Sequence, residues 1–327
     1  MNGLDTFFPF ALEFDAFTDI GFWTSVGVLA GTYTIFALGL QMNVGYTGLV
    51  NFGQVGFAAI GAYTMALLVT DAEWSFWLAL PASIVVAVGF GLLIGLPALR
   101  LRADYFAITT IAAAEAIRFT AQNARELTGG NQGVLGFDDT WADIADKIED
   151  GLIWLGWSNP ESLFPLFLVV WGVAIVCAFA LTRLQRTPWG RVLRAIREDE
   201  DAARALGKNV FVYKLQSLSI AASLGAISGW FIALNLSFIN PDAFQPLVTF
   251  LGYAVLILGG LASYWGVAVG AIIFWTLLEG LRFIELPLDD AQVAALRFIV
   301  VGIALILLMA FRPQGIFGKR EEMVLGE

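Results

Sequence analysis

The sequence predicts an all-α, polytopic membrane helical bundle of about nine spans (eight to ten), with the N-terminus outside and the C-terminus cytoplasmic. Three observations carry this. Of 327 residues, 58% are hydrophobic and 14% charged, at a mean hydropathy of +0.77, whereas soluble domains carry about 25% charged residues. Apolar runs of the roughly 17–25 residues that cross a bilayer recur along the whole chain. Basic residues gather in the loops of one side.

The runs fall at 23–42, 49–69, 76–97, 105–122, 163–182, 213–234, 247–262, 264–284 and 293–311. Residues 1–20 hold Asp5, Glu13, Asp15 and Asp19 and no Lys or Arg. That leaves no basic segment of a cleaved signal peptide, and the first span is read as running inward. In this orientation 13 of the 18 basic residues lie in inner loops, including Arg100, Arg102, Arg312, Lys319 and Arg320, and 20 of the 28 acids lie on the outer side. No soluble domain interrupts the pattern, so 1–327 reads as one membrane domain. Its two long connections are an outer loop at 123–162 and an inner loop at 183–212. Within the first, WADIADKIEDGLIWLGW (141–157) has the spacing of an amphipathic helix, lying on the outer membrane surface or capping the bundle.

Composition also excludes functions. Cys177 is the only cysteine and His is absent, which removes intrachain disulfides, cysteine metal clusters, the usual general base and the commonest metal ligand. No Ser/His/Asp set, dinucleotide fingerprint or Gly-Lys-Ser/Thr phosphate loop is present. The chain is therefore not expected to be an enzyme, to bind a metal or cofactor, or to engage nucleic acid. A net charge of −10 with four Lys against fourteen Arg fits the exterior of a salt-adapted prokaryote, or ordinary acidic outer loops.

Two segments carry the candidate functional residues. Residues 39–63 place Gln41, Asn43, Tyr46, Thr47, Asn51 and Gln54 at membrane depth or at the inner mouth, among Gly45, Gly48, Gly53, Gly56 and Gly61. Amides in hydrocarbon must find partners, and such glycines break helices or bring them close. The segment is either part of a translocation path or close packing with amides as glue. Glu115 and Arg118, on one helical face at i, i+3, pair with each other, or one of them faces the path and contacts a zwitterionic substrate. Glu279 and Arg282 repeat the pattern. The TGGNQG turn at 128–133 reads as a gate, a docking loop or a plain turn, and 258–271 as a tight inner turn between spans.

The second segment, 183–208, is the strongly charged stretch between apolar ones. Thr187 suits an N-cap, Pro188 the first helical position and Gly207 the stop, with Val192, Leu193, Ile196, Ala203 and Leu206 at near-helical spacing. A helical segment, whole or broken, is expected outside the membrane. Glu200–Arg204, Arg194–Glu198 and Arg197–Asp201 are spaced to pair. Its apolar face needs a surface to cover.

Several stretches together resemble the permease subunits of branched-chain amino acid ABC importers: NVGYTGLVNFGQVGFAAIGAY (43–63), LRADYFAITTIAAAEAIR (101–118), LTGGNQG (127–133), GRVLRAIREDEDAARALG (190–207), LGGLASYWGVAVGA (258–271) and FRPQGIFG (311–318). Relatives carrying other neutral amino acids or urea share these motifs. The resemblance implies a multi-pass subunit of the cell membrane, in contact with lipid and paired with a second similar permease. It also implies two cytoplasmic ATP-binding subunits that hold ATP and Mg, and an outer solute-binding protein. Asp201, Ala202, Ala203 and Gly207 resemble the Glu-Ala-Ala-x-x-x-Gly coupling loop, with Asp in place of Glu. Arg191, Val192, Ile196 and Leu206 join them as residues expected to meet the ATPase, and Asn43, Tyr46, Thr47, Asn51, Gln54, Glu115 and Arg118 are expected along the substrate path. A secondary carrier driven by ions, without ATPases, is the alternative of a different class.

Overall fold

The computed structural model describes residues 19–157, 160–281, 289–312 and 314–318. Arg282, Lys319, Arg320 and the acids of residues 5–15 lie outside them. Thirteen α-helices follow one another: α1 Ile20–Leu40, α2 Gln54–Thr70, α3 Phe76–Ala98, α4 Ala103–Asn123, α5 Arg125–Thr128, α6 Asp139–Trp154, α7 Phe164–Gln185, α8 Pro188–Glu198, α9 Glu200–Ala205, α10 Val210–Leu236, α11 Pro246–Gly259, α12 Tyr264–Gly280 and α13 Asp290–Phe311. Among the described residues there is no strand, only one antiparallel bridge between Val134 and Ile239.

Among the described residues, length and apolarity single out four helices able to cross a membrane: α1 with its extension to Gly45, α3, α7 and α10. α11 and α12, drawn as two spans from the sequence, are 14 and 17 residues long and bent by 114° at their junction, the form of a broken span or a re-entrant loop. α2 is apolar but short, and α4 is diluted by Asp104, Glu115 and Arg118. By length and composition alone, the described residues hold four apolar spans, or five if the bent pair counts as one.

Burial sorts these helices into layers. In α1 78% of the apolar window is buried, and in α10 67%, against 28% in α3 and 33% in α7. A helix apolar all round belongs either in a core or in lipid. α1 and α10 form the centre, and α3 and α7 turn Val85, Leu93, Ile175 and Val176 outward.

Contact between helices in lipid relies on small residues and on polar glue. At the crossing of α2 and α10 a Cβ on Gly61 would stand 2.3 Å from the Ala226 Cα, and one on Gly229 would stand 2.0 Å from the Ala58 carbonyl oxygen. Indole N–H groups add fixed points: Trp171 donates to Gly27 O at 2.9 Å, tying α7 to α1, and Trp230 donates to Ser83 Oγ at 2.6 Å, tying α10 to α3.

The 123–162 connection does hold a helix, α6, but no residue of it is fully buried. Trp154 and Leu155, at its end, are 85% and 74% exposed. The TGGNQG turn seats against the chain after α10 through the Val134–Ile239 bridge.

Replacing Gly229 by Leu is expected to cost about 1–3 kcal/mol or more by overpacking, seen as a lower thermal midpoint in detergent and loss of monodispersity. Gly172→Ala in α7, where a Cβ meets nothing within 4 Å, is expected to leave the midpoint unchanged or raise it.

Candidate functional site at a broken helix

α1 does not simply end. Its last turn widens to a π-helix over Gln41–Gly45, a form that often marks functional positions. Gly48 then takes φ +69°, a left-handed conformation that glycine adopts without strain, and 48–53 run without helix until α2 starts at Gln54. Segment 39–63 is thus a broken helix. Gln41, Asn43, Asn51 and Gln54 are fully buried and Thr47 nearly so.

Each freed backbone group in such a place costs several kcal/mol unless paired, and the bundle supplies the partners. Thr110 of α4 accepts from Phe52 N–H at 3.1 Å, Thr249 of α11 accepts from Val55 N–H at 3.2 Å, and the Tyr253 hydroxyl donates to Asn51 O at 2.9 Å. Ser217 of α10 donates toward Met42 O and Asn43 Oδ1, both at 3.1 Å. Asn51 Oδ1 accepts from Gly53 N–H at 2.8 Å, and Gln54 reaches back to Ala221 O at 2.9 Å. With its carboxamide oxygen toward the α11–α12 turn, Gln41 accepts from the N–H groups of Ala262 and Ser263. Asn43 Nδ2 is buried and makes no hydrogen bond.

Tyr46 ties the break to two further elements. Its hydroxyl meets Gln185 at the end of α7 and donates to Ala262 O at 3.0 Å, while its ring stacks on Tyr264 at 5.1 Å. The space beside Asn51, Gly53 and Thr110 is a void of about 10 Å3, at the limit for one water. In this conformation the segment is packed shut.

Glu115 and Arg118 do not join this cluster. They form a bidentate pair, at 2.9 and 2.8 Å, and Arg118 reaches Asp242 at 3.7 Å near the far end of α10. Glu115 sits about 7.5 Å and Arg118 about 12 Å beyond Thr110 along α4.

The charged segment forms two helices rather than one. Pro188 opens α8 after Thr187, whose hydroxyl donates back to Leu184 O at 2.6 Å instead of capping. Asp199 breaks the segment and caps α9, accepting from Asp201 and Ala202 N–H at 2.9 Å each. Gly207 closes it at φ +77°. Glu200 pairs with Arg204, as its spacing suggests, and with Lys214; Arg204 also pairs with Asp201 at 2.9 Å. Arg197 does not turn to Asp201: its Nη1 donates to Gly45 O, inside the π-turn.

The apolar face needs correcting. Ile196 and Ala203, expected to meet a partner, are each 3% exposed and pack with Val210, beside Val192 and Tyr213. They seat the segment on the start of α10. What stays outward is Arg191, Asp201, Ala202, Gly207 and Leu206, the last 79% exposed.

A bundle of apolar helices, with a broken central helix clamped by polar side chains and an amphipathic segment bonded to that break, is the build of an integral membrane transport subunit. The chain matches, over residues 23–309, the family described as branched-chain amino acid transport system / permease component, and it belongs to that family. It is 33% identical over 301 residues to the high-affinity branched-chain amino acid transport system permease protein LivM of Escherichia coli, covering 89% of this chain and 69% of that protein. The LivM of Salmonella typhimurium is 32% identical over the same shares. The permease protein LivH of E. coli is 25% identical across 90% of this chain and 93% of its own. No solved structure matches the chain.

The sequence points to the 39–63 segment, leaving open whether its helix is continuous or broken, but not to its clamps: Thr110, Ser217, Thr249, Tyr253 and Arg197. Ser and Thr inside apolar helices usually bond back to their own turn, so nothing in the sequence marks the few that reach across. Thr110→Val and Thr249→Val each leave a buried N–H unpaired and are expected to destabilise by about 1–3 kcal/mol. Thr109→Val, which removes only an exposed bond to Tyr105 O, is expected to change little; thermal unfolding in detergent compares the three.

Proposed function

We propose that the chain forms half of the transmembrane pathway of an ATP-driven importer of branched-chain amino acids. A second similar permease would supply the other half, a solute-binding protein would deliver substrate outside, and two cytoplasmic subunits would bind ATP and Mg. The membership in the permease family supports this. So does the placing of Arg100, Arg102 and the basic residues of 183–214 at one end of the bundle, which favours a cytoplasmic side there and a chain of about nine spans running from outside to inside.

The observation that carries the mechanism is the bond from Arg197 to Gly45 O. A coupling segment moves a pathway only if it is attached to it. Here α8 and α9 are held to α10 through Ile196, Ala203 and Val210 and to the π-turn through Arg197. Closure of the partner ATPases would press on the outward face of Arg191, Asp201, Ala202, Leu206 and Gly207. The displacement then reaches the break, and Asn43, Tyr46, Thr47, Asn51 and Gln54 exchange their present partners for the path. Alternation between two packings of this kind is a two-state device. Glu115 and Arg118, at the other end, would form part of the outer entry.

Uptake of labelled leucine, isoleucine and valine by the complex reconstituted in liposomes tests the reading, with alanine and urea as competitors. Arg197→Ala is expected to lower uptake at least about tenfold, the loss of roughly 1.4 kcal/mol of coupling, while membrane insertion and assembly persist. Uptake by this chain alone under an ion gradient would overturn the proposal.

A further inference from the structure

A cavity of about 570 Å3 opens at the basic end, between the α3–α4 connection, the α8–α9 break and the start of α10. Its volume suits a small ligand. Six basic side chains line it, Arg100, Arg102, Arg197, Arg204, Lys208 and Lys214, against one acid, Glu200, in a chain of net charge −10. Glu200 is already engaged by Arg204 and Lys214. Among the described residues, Arg100, Arg102 and Lys208 join no ion pair, and Arg197 Nε is buried without a hydrogen-bond partner.

Uncompensated positive charge in a concave, low-dielectric cleft concentrates its field on whatever anion enters. Two helix N-termini strengthen it, since Arg102 and Asn209, the residues that begin α4 and α10, both line the cavity. Asp104, in the first turn of α4, does not line it. The guanidinium fork matches phosphate oxygens two at a time.

The surroundings select the kind of anion. Leu93, Leu96, Leu101, Tyr105 and Ile108 of α3, α4 and their connection are 47–66% exposed, so apolar surface runs from beside the cavity along the bundle. A ligand that fits both is amphiphilic. We propose that this cavity binds a phosphate-bearing anion through Arg100, Arg102, Arg197 and Lys208, and that its occupant is the headgroup of an anionic phospholipid whose chains lie along α3 and α4. Basic pockets between helices at a membrane surface hold such headgroups elsewhere. Occupied, the site bridges the α3–α4 connection and the charged segment. It does not depend on the transport reading.

The test uses the full chain in detergent micelles and native mass spectrometry. Phosphatidylglycerol is expected to be retained in preference to phosphatidylcholine. The double change Arg100→Gln, Arg102→Gln is expected to weaken that retention about thirtyfold, from about 1 kcal/mol for each basic residue, whereas Arg183→Gln, Arg186→Gln leaves it unchanged. Should the first pair not fold, Lys208→Gln is expected to weaken retention about fivefold on the same scale. Displacement of the lipid by millimolar inorganic phosphate, with the same sensitivity to the variants, supports the anion site and overturns the lipid as its occupant. Equal retention of the two lipids, or retention unaffected by loss of Arg100 and Arg102 or of Lys208, overturns the proposal.

Discussion

Everything central in this bundle answers one requirement: a helix interrupted inside apolar surroundings must have its loose backbone groups paired. The interruption lies at 48–53, and three neighbouring helices, α4, α10 and α11, bend their composition toward it. Thr110, Ser217, Thr249 and Tyr253 are hydroxyl residues where an apolar one would pack as well. Their helices are thereby fixed in register around the break, and the packing that looks like a plain hydrophobic core is organised by about half a dozen polar bonds.

The charged segment meets the same requirement from outside. Amphipathic helices as short as α8 and α9 have little stability of their own; they exist because Leu193, Ile196 and Ala203 are buried and because Asp199 caps the second of them. Burial against the chain itself leaves a sparse outward face, dominated by Leu206 and by charge. Arg197, placed by helix geometry to face inward, finds a carbonyl that the π-turn has left available.

Much of the fold was legible because it rests on length and periodicity. The all-helical class, most helix positions and the amphipathic α6 follow from apolar runs and acidic spacing, while the clustered glycines of 39–63 left open whether that helix is broken. The bend of 114° between α11 and α12 was not, since two apolar runs joined by a short turn read alike whether they are two spans or one folded back. The site was half legible. Asn43, Asn51 and Gln54 announce themselves as amides in hydrocarbon, but their partners are ordinary hydroxyl residues distant in sequence. Ile196 and Ala203 misled because an apolar helical face is the same pattern whether it covers its own chain or another.

The crossing of α2 and α10 has a consequence for motion. Where Gly61 meets Ala226 and Gly229 meets Ala58, backbone touches backbone, and no layer of side chains is left to change rotamer and let one rod glide over the other. The two helices therefore travel as a single strut. α10, 27 residues and about 40 Å long, carries the seat of the charged segment at one tip and leads to Asp242 and its Arg118 partner beyond the other. A tilt imposed at one mouth of the bundle is delivered to the opposite mouth by lever action, without any relay of small rearrangements between.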